Sequence, residues 1–381
     1  MKYRSFGKTG KSVSALGFGT MRFPTSTNRQ QDVIEKDSIK LLRRAVDAGI
    51  NYFDTAYAYH GGRSETVLGK ALSKGYRDKV FIADKFPSWL LKERSDFNRI
   101  LAEQLKRLKT DRIDFYLMHA LNKHYWENIK KTGILIDAEK AKQDGLIGHI
   151  GFSFHDDLET FQKIIDEYPE WEFCQIQYNY MDVDTQAGTA GLEYAAGKDL
   201  GLVIMEPLRG GQLTSAAPEP VAQAWESLPN PGSGAERALR FIWDRQEVSV
   251  VLSGMSSMEQ LEENITLAEA SQSCVLSEEE RKMYTRVKEL YSSLQPIPCT
   301  QCKYCQPCPQ KVRIPDILTL YNESIMYNSL QESQRQYNFV IQAKNRADRC
   351  VECGQCEDIC PQHISIISWL KKTHKALHFP K

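Results

Sequence analysis

The 381-residue chain has no excess of charge of either sign: 49 lysines and arginines stand against 49 aspartates and glutamates. That balance, without any basic stretch, excludes the electrostatic footprint of a nucleic-acid or anionic-membrane binder. No apolar run approaches the roughly 18 residues that a bilayer span requires, and the mean hydropathy is −0.46. The opening Met1–Phe6 stretch lacks the apolar segment of a secretory signal, so a soluble, cytoplasmic protein is expected. Glycine-rich phosphate loops are lacking too. The nearest approach to G-x-G-x-x-G is Gly17-Phe18-Gly19-Thr20-Met21-Arg22, which ends in arginine. Gly7-Lys8-Thr9 imitates the end of a Walker A loop but has no glycine at the required upstream position. Before Cys299 there are only two cysteines, Cys174 and Cys274, neither with a partner at ligand spacing. The other eight crowd between Cys299 and Cys360. In a secreted chain such a set reads as disulfides, and in a cytoplasmic one as a metal site.

What is present in the body is alternation of β-rich runs with amphipathic stretches. Candidate strands are Ser14–Gly19, Asn51–Thr55, Val80–Ala83, Ile113–Met118, His149–Ser153, Phe173–Gln177, Gly201–Met205 and Val248–Leu252. Helical patterns lie between them, among them Ser38–Ala48, Phe97–Leu108, Leu158–Glu167 and Ala235–Arg245. Repeated βαβ units of this number predict an α/β fold, a closed (β/α)₈ TIM barrel in preference to an open doubly wound sheet. The Pro-, Ser-, Gly- and Ala-rich stretch Ala216–Gly234 reads as a long loop. Leu276–Leu290 reads as a last helix with a capping box of Ser277 and Glu280. Gln295-Pro296-Ile297-Pro298 then marks a boundary. The expected division is a barrel over residues 1–295 and a smaller, mainly α-helical domain over 296–381.

Chemistry in such a barrel sits where strands end and βα loops begin. Those positions carry Asp54, Lys85, His119 and Ser153, with Tyr59 in the loop after Asp54. Each alone has an ordinary explanation: a turn cap for the aspartate, packing for the histidine, solvation for the lysine. Their convergence on one rim is what suggests a site.

The segment Asn51-Tyr52-Phe53-Asp54-Thr55-Ala56-Tyr57-Ala58-Tyr59, then Lys85, then Leu117-Met118-His119, resembles the aldo-keto reductase superfamily. The opening Tyr3–Gly10 and Leu16-Gly17-Phe18-Gly19-Thr20-Met21 are similar to that family's N-terminal hairpin and first strand. The resemblance implies a catalytic tetrad of Asp54, Tyr59, Lys85 and His119. In it Tyr59 donates the proton, Lys85 lowers the tyrosine pKa, Asp54 orients the lysine and His119 directs the carbonyl oxygen. It also implies NADPH or NADH lying across the rim. The implied contacts are Gly19, Thr20, Met21 and Asp54, then Ser153 and Gln175 on the nicotinamide carboxamide. They continue through Met205, Pro207, Leu208, Gly210 and Gly211, then Gly254, Ser256, Gln260, Glu263 and Asn264. Phe154 replaces an asparagine that often follows the serine, and Met205 replaces a stacking aromatic. Gly254 and Gln260 fall where NADPH-preferring relatives carry Lys and Arg, which leaves NADH and NADPH both open.

The tail contains a duplication. Cys299-x₂-Cys302-x₂-Cys305-x₂-Cys308-Pro309-Gln310 is followed at an offset of 52 residues by Cys350-x₂-Cys353-x₂-Cys356-x₃-Cys360-Pro361-Gln362. This spacing presents three thiolates to one cubane, with the fourth cysteine reaching the other cluster, whereas structural zinc favours separated C-x₂-C pairs. The tail resembles two-[4Fe–4S] ferredoxin domains. That resemblance implies Cys299, Cys302, Cys305 and Cys360 on one cluster and Cys350, Cys353, Cys356 and Cys308 on the other. The shorter x₂ spacer before Cys308 leaves a single fully ligated cluster as the alternative.

The expectation is therefore an NAD(P)H-dependent oxidoreductase acting on a small-molecule carbonyl or alcohol, with iron–sulfur clusters for electron transfer and a ferredoxin or other redox partner. The alternative is an electron-transfer or regulatory iron–sulfur protein that uses the barrel as a nucleotide sensor. Neither reading involves nucleic acid or a membrane.

Overall fold

Eight apolar runs, each too short to make a helix and rich in β-branched and aromatic residues, become eight parallel strands in the computed structural model, which describes residues 1–27, 29 and 31–379. A hairpin of β1 (Tyr3–Ser5) and β2 (Ser12–Ser14) precedes them. The barrel strands are β3 (Leu16–Gly19), β4 (Tyr52–Asp54), β5 (Phe81–Phe86), β6 (Ile113–Leu121), β7 (Ile147–Phe154), β8 (Phe173–Gln177), β9 (Gly201–Met205) and β10 (Val248–Ser253). They pair in chain order, and β10 closes on β3. This is the (β/α)₈ architecture expected.

Register sets the height of each rim residue. Gly19 lies beside Asp54, Lys85 beside Leu117, and Ser153 beside Gln175. Between β6 and β7 the register shifts between Met118 and Leu121. Ala120 adopts a φ of 56° there, a conformation costly for a residue with a Cβ. The irregularity falls directly after His119.

At the opposite end the hairpin delivers Phe6 into the barrel mouth. Its ring is fully buried and meets Phe115, Phe173 and Tyr52 with centroids at 4.8, 5.3 and 5.8 Å. Gly201 is required beneath it, because an added Cβ would stand 2.4 Å from Phe6 Cδ2.

Amphipathic helices cover the outside, including Glu35–Asp47, Asp96–Leu108 and Leu158–Glu167. One expectation fails. Within 216–234, read as a continuous loop, Glu219–Glu226 is helical and buries Val221, Ala224 and Trp225. Those residues stand at i, i+3 and i+4, one helix face. Pro220 falls in the first turn, where its missing N–H costs nothing. Bulk composition concealed this short face.

The later helix runs Glu278–Ser293 and carries the expected capping box. Glu280 N donates to Ser277 Oγ at 3.1 Å, and Ser277 N donates to Glu280 Oε2 at 2.8 Å. Beyond it come helices Ile314–Met326, Leu330–Phe339, Gln355–Asp358 and Ile366–Leu377. The chain forms two compact units. Met1–Pro207 joins Glu236–Leu276 in one, and Leu208–Ala235 joins the chain from Ser277 onward in the other. The core of the second unit includes Ile297, Val312, Ile314, Ile317, Ile364 and Leu370. Buried Asn322 grips Ile297 by both peptide groups, accepting from its N at 3.0 Å and donating to its O at 2.9 Å. Among the described residues no helix is long and apolar enough to cross a membrane.

Removing the Phe6 plug leaves a cavity that its aromatic neighbours only partly close. Phe6→Ala is expected to lower stability by about 3–5 kcal/mol, read as a shift in the urea midpoint at unchanged slope.

Candidate active site and cysteine cages

β4 and β5 run side by side, and the register that pairs Asp54 with Ala83 puts Lys85 two residues further toward the rim. The lysine side chain turns back onto its neighbour. Lys85 Nζ donates to Asp54 Oδ1 at 2.6 Å and to Thr55 O at 2.8 Å, with both charged groups buried. Burial opposes the ammonium, but Asp54 and Tyr59 outweigh it and hold Lys85 above its ordinary pKa. Burial likewise pushes Asp54 upward while Lys85 pulls it down. Removing either partner would strand a buried charge.

Tyr59 opens the short turn Tyr59–Gly62 after β4. Lys85 Nζ lies 5.0 Å from its ring centroid, close enough for its charge to act on the phenol. Here an expectation needs correcting. Lys85 does pull the Tyr59 pKa down, but burial pushes it up more strongly, with Asp54 and Glu206 adding to the push, so the phenol ends above its usual value. A phenol so placed holds its proton and can donate it; it is not a standing phenolate.

His119, near the end of β6, meets Tyr59 edge-to-face with centroids 6.0 Å apart. Its pKa is driven well down, first by burial, then by Lys85 and His155. The buried Nδ1 has no hydrogen-bond partner among the described residues. The structure thus gathers the four expected residues, with a neutral imidazole beside a protonated phenol.

Trp89 is a residue the sequence reading missed. From the turn Ser88–Leu90 after β5 its ring comes within 5.0 Å of His119, and it is 39% exposed. Its signal was position, a large aromatic in the βα loop directly after Lys85.

The implied cofactor residues divide by how they are occupied. Ser153 Oγ accepts from Ala120 N at 2.7 Å, pinning the bulge behind His119. Buried Gln175 has an Oε1 without a partner among the described residues. Thr20 Oγ1 donates to Asp54 O at 2.9 Å, while Met21 is exposed. Gly254 packs against the Arg22 stem, where an added Cβ would meet Arg22 Cβ at 3.0 Å. Gln260 Oε1 accepts from Ser256 N at 2.9 Å, and Asn264 Nδ2 donates to Ser253 Oγ at 2.8 Å. Met205 ends β9, ahead of Glu206 and Pro207. Leu208, Gly210 and Gly211 belong to the second compact unit, and both glycines have positive φ.

In that unit the sequence duplication is also a backbone duplication. Gln301, Lys303 and Lys311 are left-handed, and so are Glu352, Gly354 and His363 at the matching places. Such turns aim successive amides into a concavity suited to anionic groups. Cys299, Cys302, Cys305 and Cys360 line one cavity. Cys308, Cys350, Cys353 and Cys356 line another, which Cys305 also touches. Cys308 therefore faces the second motif despite its short spacer, where Gln306 closes the turn by accepting from Cys308 N at 3.2 Å. Among the described residues no three His, Cys, Asp or Glu side chains form a single-ion site. The thiols stand around cavities. Cys305 and Cys356 are each pushed up to about 11, chiefly by burial and further by neighbouring thiols. Cys174 is buried alone and Cys274 is exposed.

A closed parallel barrel with a lysine–aspartate pair beneath a tyrosine and a histidine at its rim, carrying a cysteine-rich appendage, defines a barrel oxidoreductase with an iron–sulfur domain. The chain belongs to the aldo/keto reductase family, whose model matches residues 15–289. A 4Fe-4S dicluster domain model matches residues 298–365. The chain is similar to L-galactose dehydrogenase of Arabidopsis thaliana, 28% identical over 317 residues that cover 78% of this chain and 95% of the relative. It is also similar to aldo-keto reductase YhdN of Bacillus subtilis, 30% identical over 60% of this chain and 69% of that one. Among solved structures, the holo form of aldo-keto reductase AKR11C1 from Bacillus halodurans superposes with a TM-score of 0.62 at 27% identity, covering 75% of this chain and 96% of that one.

The depressed His119 pKa has a direct consequence. Its imidazole resonances should titrate at a lower pH than those of an unperturbed histidine; a histidine-selective NMR titration reads this.

Proposed function

We propose that this chain reduces an aldehyde or ketone with NADPH or NADH, Tyr59 giving the proton, and that its tail holds two [4Fe–4S] clusters for single-electron transfer. The observation that carries the first part is the buried Lys85–Asp54 pair directly beneath the Tyr59 phenol. The bound dinucleotide supplies hydride to the carbonyl carbon, or accepts it when an alcohol is oxidised. The chain's own residues manage the negative charge that develops on oxygen. Tyr59 holds a proton at its hydroxyl, and Lys85 steadies the phenolate left when that proton moves. Asp54 keeps Lys85 charged and aimed. Neutral His119 orients the carbonyl oxygen, and Trp89 supplies an apolar wall beside it.

The residues present fit a nicotinamide carboxamide. The unpartnered Gln175 Oε1 is an acceptor for its amide, and Ser153, whose oxygen already accepts from Ala120 N, retains a hydroxyl proton to donate. The relative named L-galactose dehydrogenase supports a reaction that also runs toward alcohol oxidation. An intact tetrad speaks for turnover over nucleotide sensing alone. The two cysteine cavities, with Cys305 touching both, support a pair of neighbouring clusters that exchange electrons with a ferredoxin or similar one-electron carrier.

Tyr59→Phe is expected to lower carbonyl reduction by at least about 100-fold while the nucleotide dissociation constant changes little. Unimpaired turnover would remove Tyr59 from its role. Anaerobically purified protein should contain about eight iron and eight sulfide per chain, falling to about four of each on loss of one cluster in Cys308→Ala; about four in the unaltered protein would reduce the assignment to one cluster.

A further inference from the structure

Asp84 immediately precedes Lys85 in β5, so strand alternation sends its side chain to the opposite face, away from the rim. It is fully buried there. Its Oδ1 accepts from Lys85 N at 2.8 Å, and its Oδ2 finds no donor among the described residues. Close enough to act on it electrostatically is Glu65, also fully buried, from the helix Arg63–Ala71. Glu65 accepts from Gln104 Nε2 at 3.2 Å and from Arg107 Nη1 at 2.8 Å. Both donors come from the helix Asp96–Leu108. From β6, Tyr116 OH donates to Gln104 Oε1 at 2.6 Å. Gln104 Nε2 also donates to Lys85 O at 3.0 Å. Both peptide groups of Lys85, its N–H and its C=O, are thus held by side chains of this cluster.

The charge count does not close as drawn. Two carboxyl groups lie near each other away from water, while Arg107 divides its charge between Glu65 and Glu103 and the Lys85 ammonium is committed to Asp54. Two neighbouring buried carboxylates cannot both ionise. A proton between them supplies the donor that Asp84 Oδ2 lacks, and Glu65, already paired with Arg107, is the natural carboxylate partner.

We propose that Asp84 and Glu65 share one proton, with Asp84 as the neutral acid, and that this pair is a positioning device clamping the Lys85 peptide from behind the active site. The clamp deepens the reductase reading above and rests on it for its consequence, but the shared proton stands on the cluster alone. Burial and Glu65 together raise the Asp84 pKa well above the ordinary carboxylate value. The folded chain therefore keeps a proton that the unfolded chain releases near pH 4. This contribution to stability is complete in acid and is lost progressively as pH rises from that value toward the raised one.

The test uses the full-length protein and three variants, Asp84→Asn, Glu65→Gln and Asp84→Leu, each checked for folding by circular dichroism. Infrared spectroscopy at pH 7 should show a protonated-carboxyl C=O stretch that disappears in Asp84→Asn. Asparagine keeps an N–H to donate to Glu65 and an oxygen to accept from Lys85 N, so kcat should stay within about 3-fold, whereas Asp84→Leu should lower it by at least about 10-fold with KM little changed. The pH-dependent loss of stability should vanish in Asp84→Asn. Amide hydrogen exchange at Lys85 should accelerate in Asp84→Leu and not in Asp84→Asn. A wild-type spectrum without the band, or a band unaltered in both Asp84→Asn and Glu65→Gln, would overturn the shared proton. Equal damage in Asp84→Asn and Asp84→Leu would overturn the clamp. Should no carbonyl be turned over at all, the reductase reading fails while the band and the exchange rates still decide the carboxyl pair.

Discussion

A lysine with no exposed surface keeps its charge only if a carboxylate reaches it, and the 2.6 Å contact between Lys85 and Asp54 meets that demand. Much of the barrel's detail near the rim follows from it. The two residues must come from neighbouring strands in one register, which β4 and β5 provide. Asp54 is in turn fixed through its backbone by a run of buried hydroxyls. Thr55 Oγ1 and Ser64 Oγ are 2.9 Å apart, Ser64 donates to Thr20 Oγ1 at 2.6 Å, and Thr20 donates to Asp54 O. Burial sets the direction of the Tyr59 and His119 shifts, and the same ammonium acts on both. It restrains the upward shift of the phenol and adds to the downward shift of the imidazole.

The tail solves a different problem with the same economy of parts. Eight thiols have to be held apart around cavities, and neither motif has enough apolar residues to build a core of its own. Val312 and Ile314 after the first Cys-Pro-Gln, and Ile364 and Ile366 after the second, enter one shared core. The matched left-handed residues show that the duplication extends to backbone conformation. The single-residue difference in spacing is absorbed locally: the second motif uses the short helix Gln355–Asp358, and the first uses a turn closed by Gln306.

The sequence carried most of this because the relevant signals are local and periodic. Eight apolar runs give eight strands, and cysteine spacing indicates the cages. The gathering of Asp54, Tyr59, Lys85 and His119 was legible because strand ends in such a barrel share one rim. What escaped depends on three-dimensional surroundings. Trp89 looked like any loop aromatic until its ring was placed beside His119. The sign of the Tyr59 shift depended on weighing burial against one neighbouring charge, and burial has no local signature. The helix Glu219–Glu226 was hidden by prolines and small residues that lowered its apparent order. Asp84 and Glu65 belong to separate elements, a strand and a helix, with no motif joining them. Only packing brings them together.

One core serving two cages has a consequence for how the tail withstands damage. Val312 and Ile314 follow one cage and Ile364 and Ile366 the other, and all four pack into the same core, so neither cage rests on apolar residues of its own. Cys305, lining both cavities, ties them further. A substitution in this shared core, unlike one confined to a single cage, should therefore be felt by both halves of the tail.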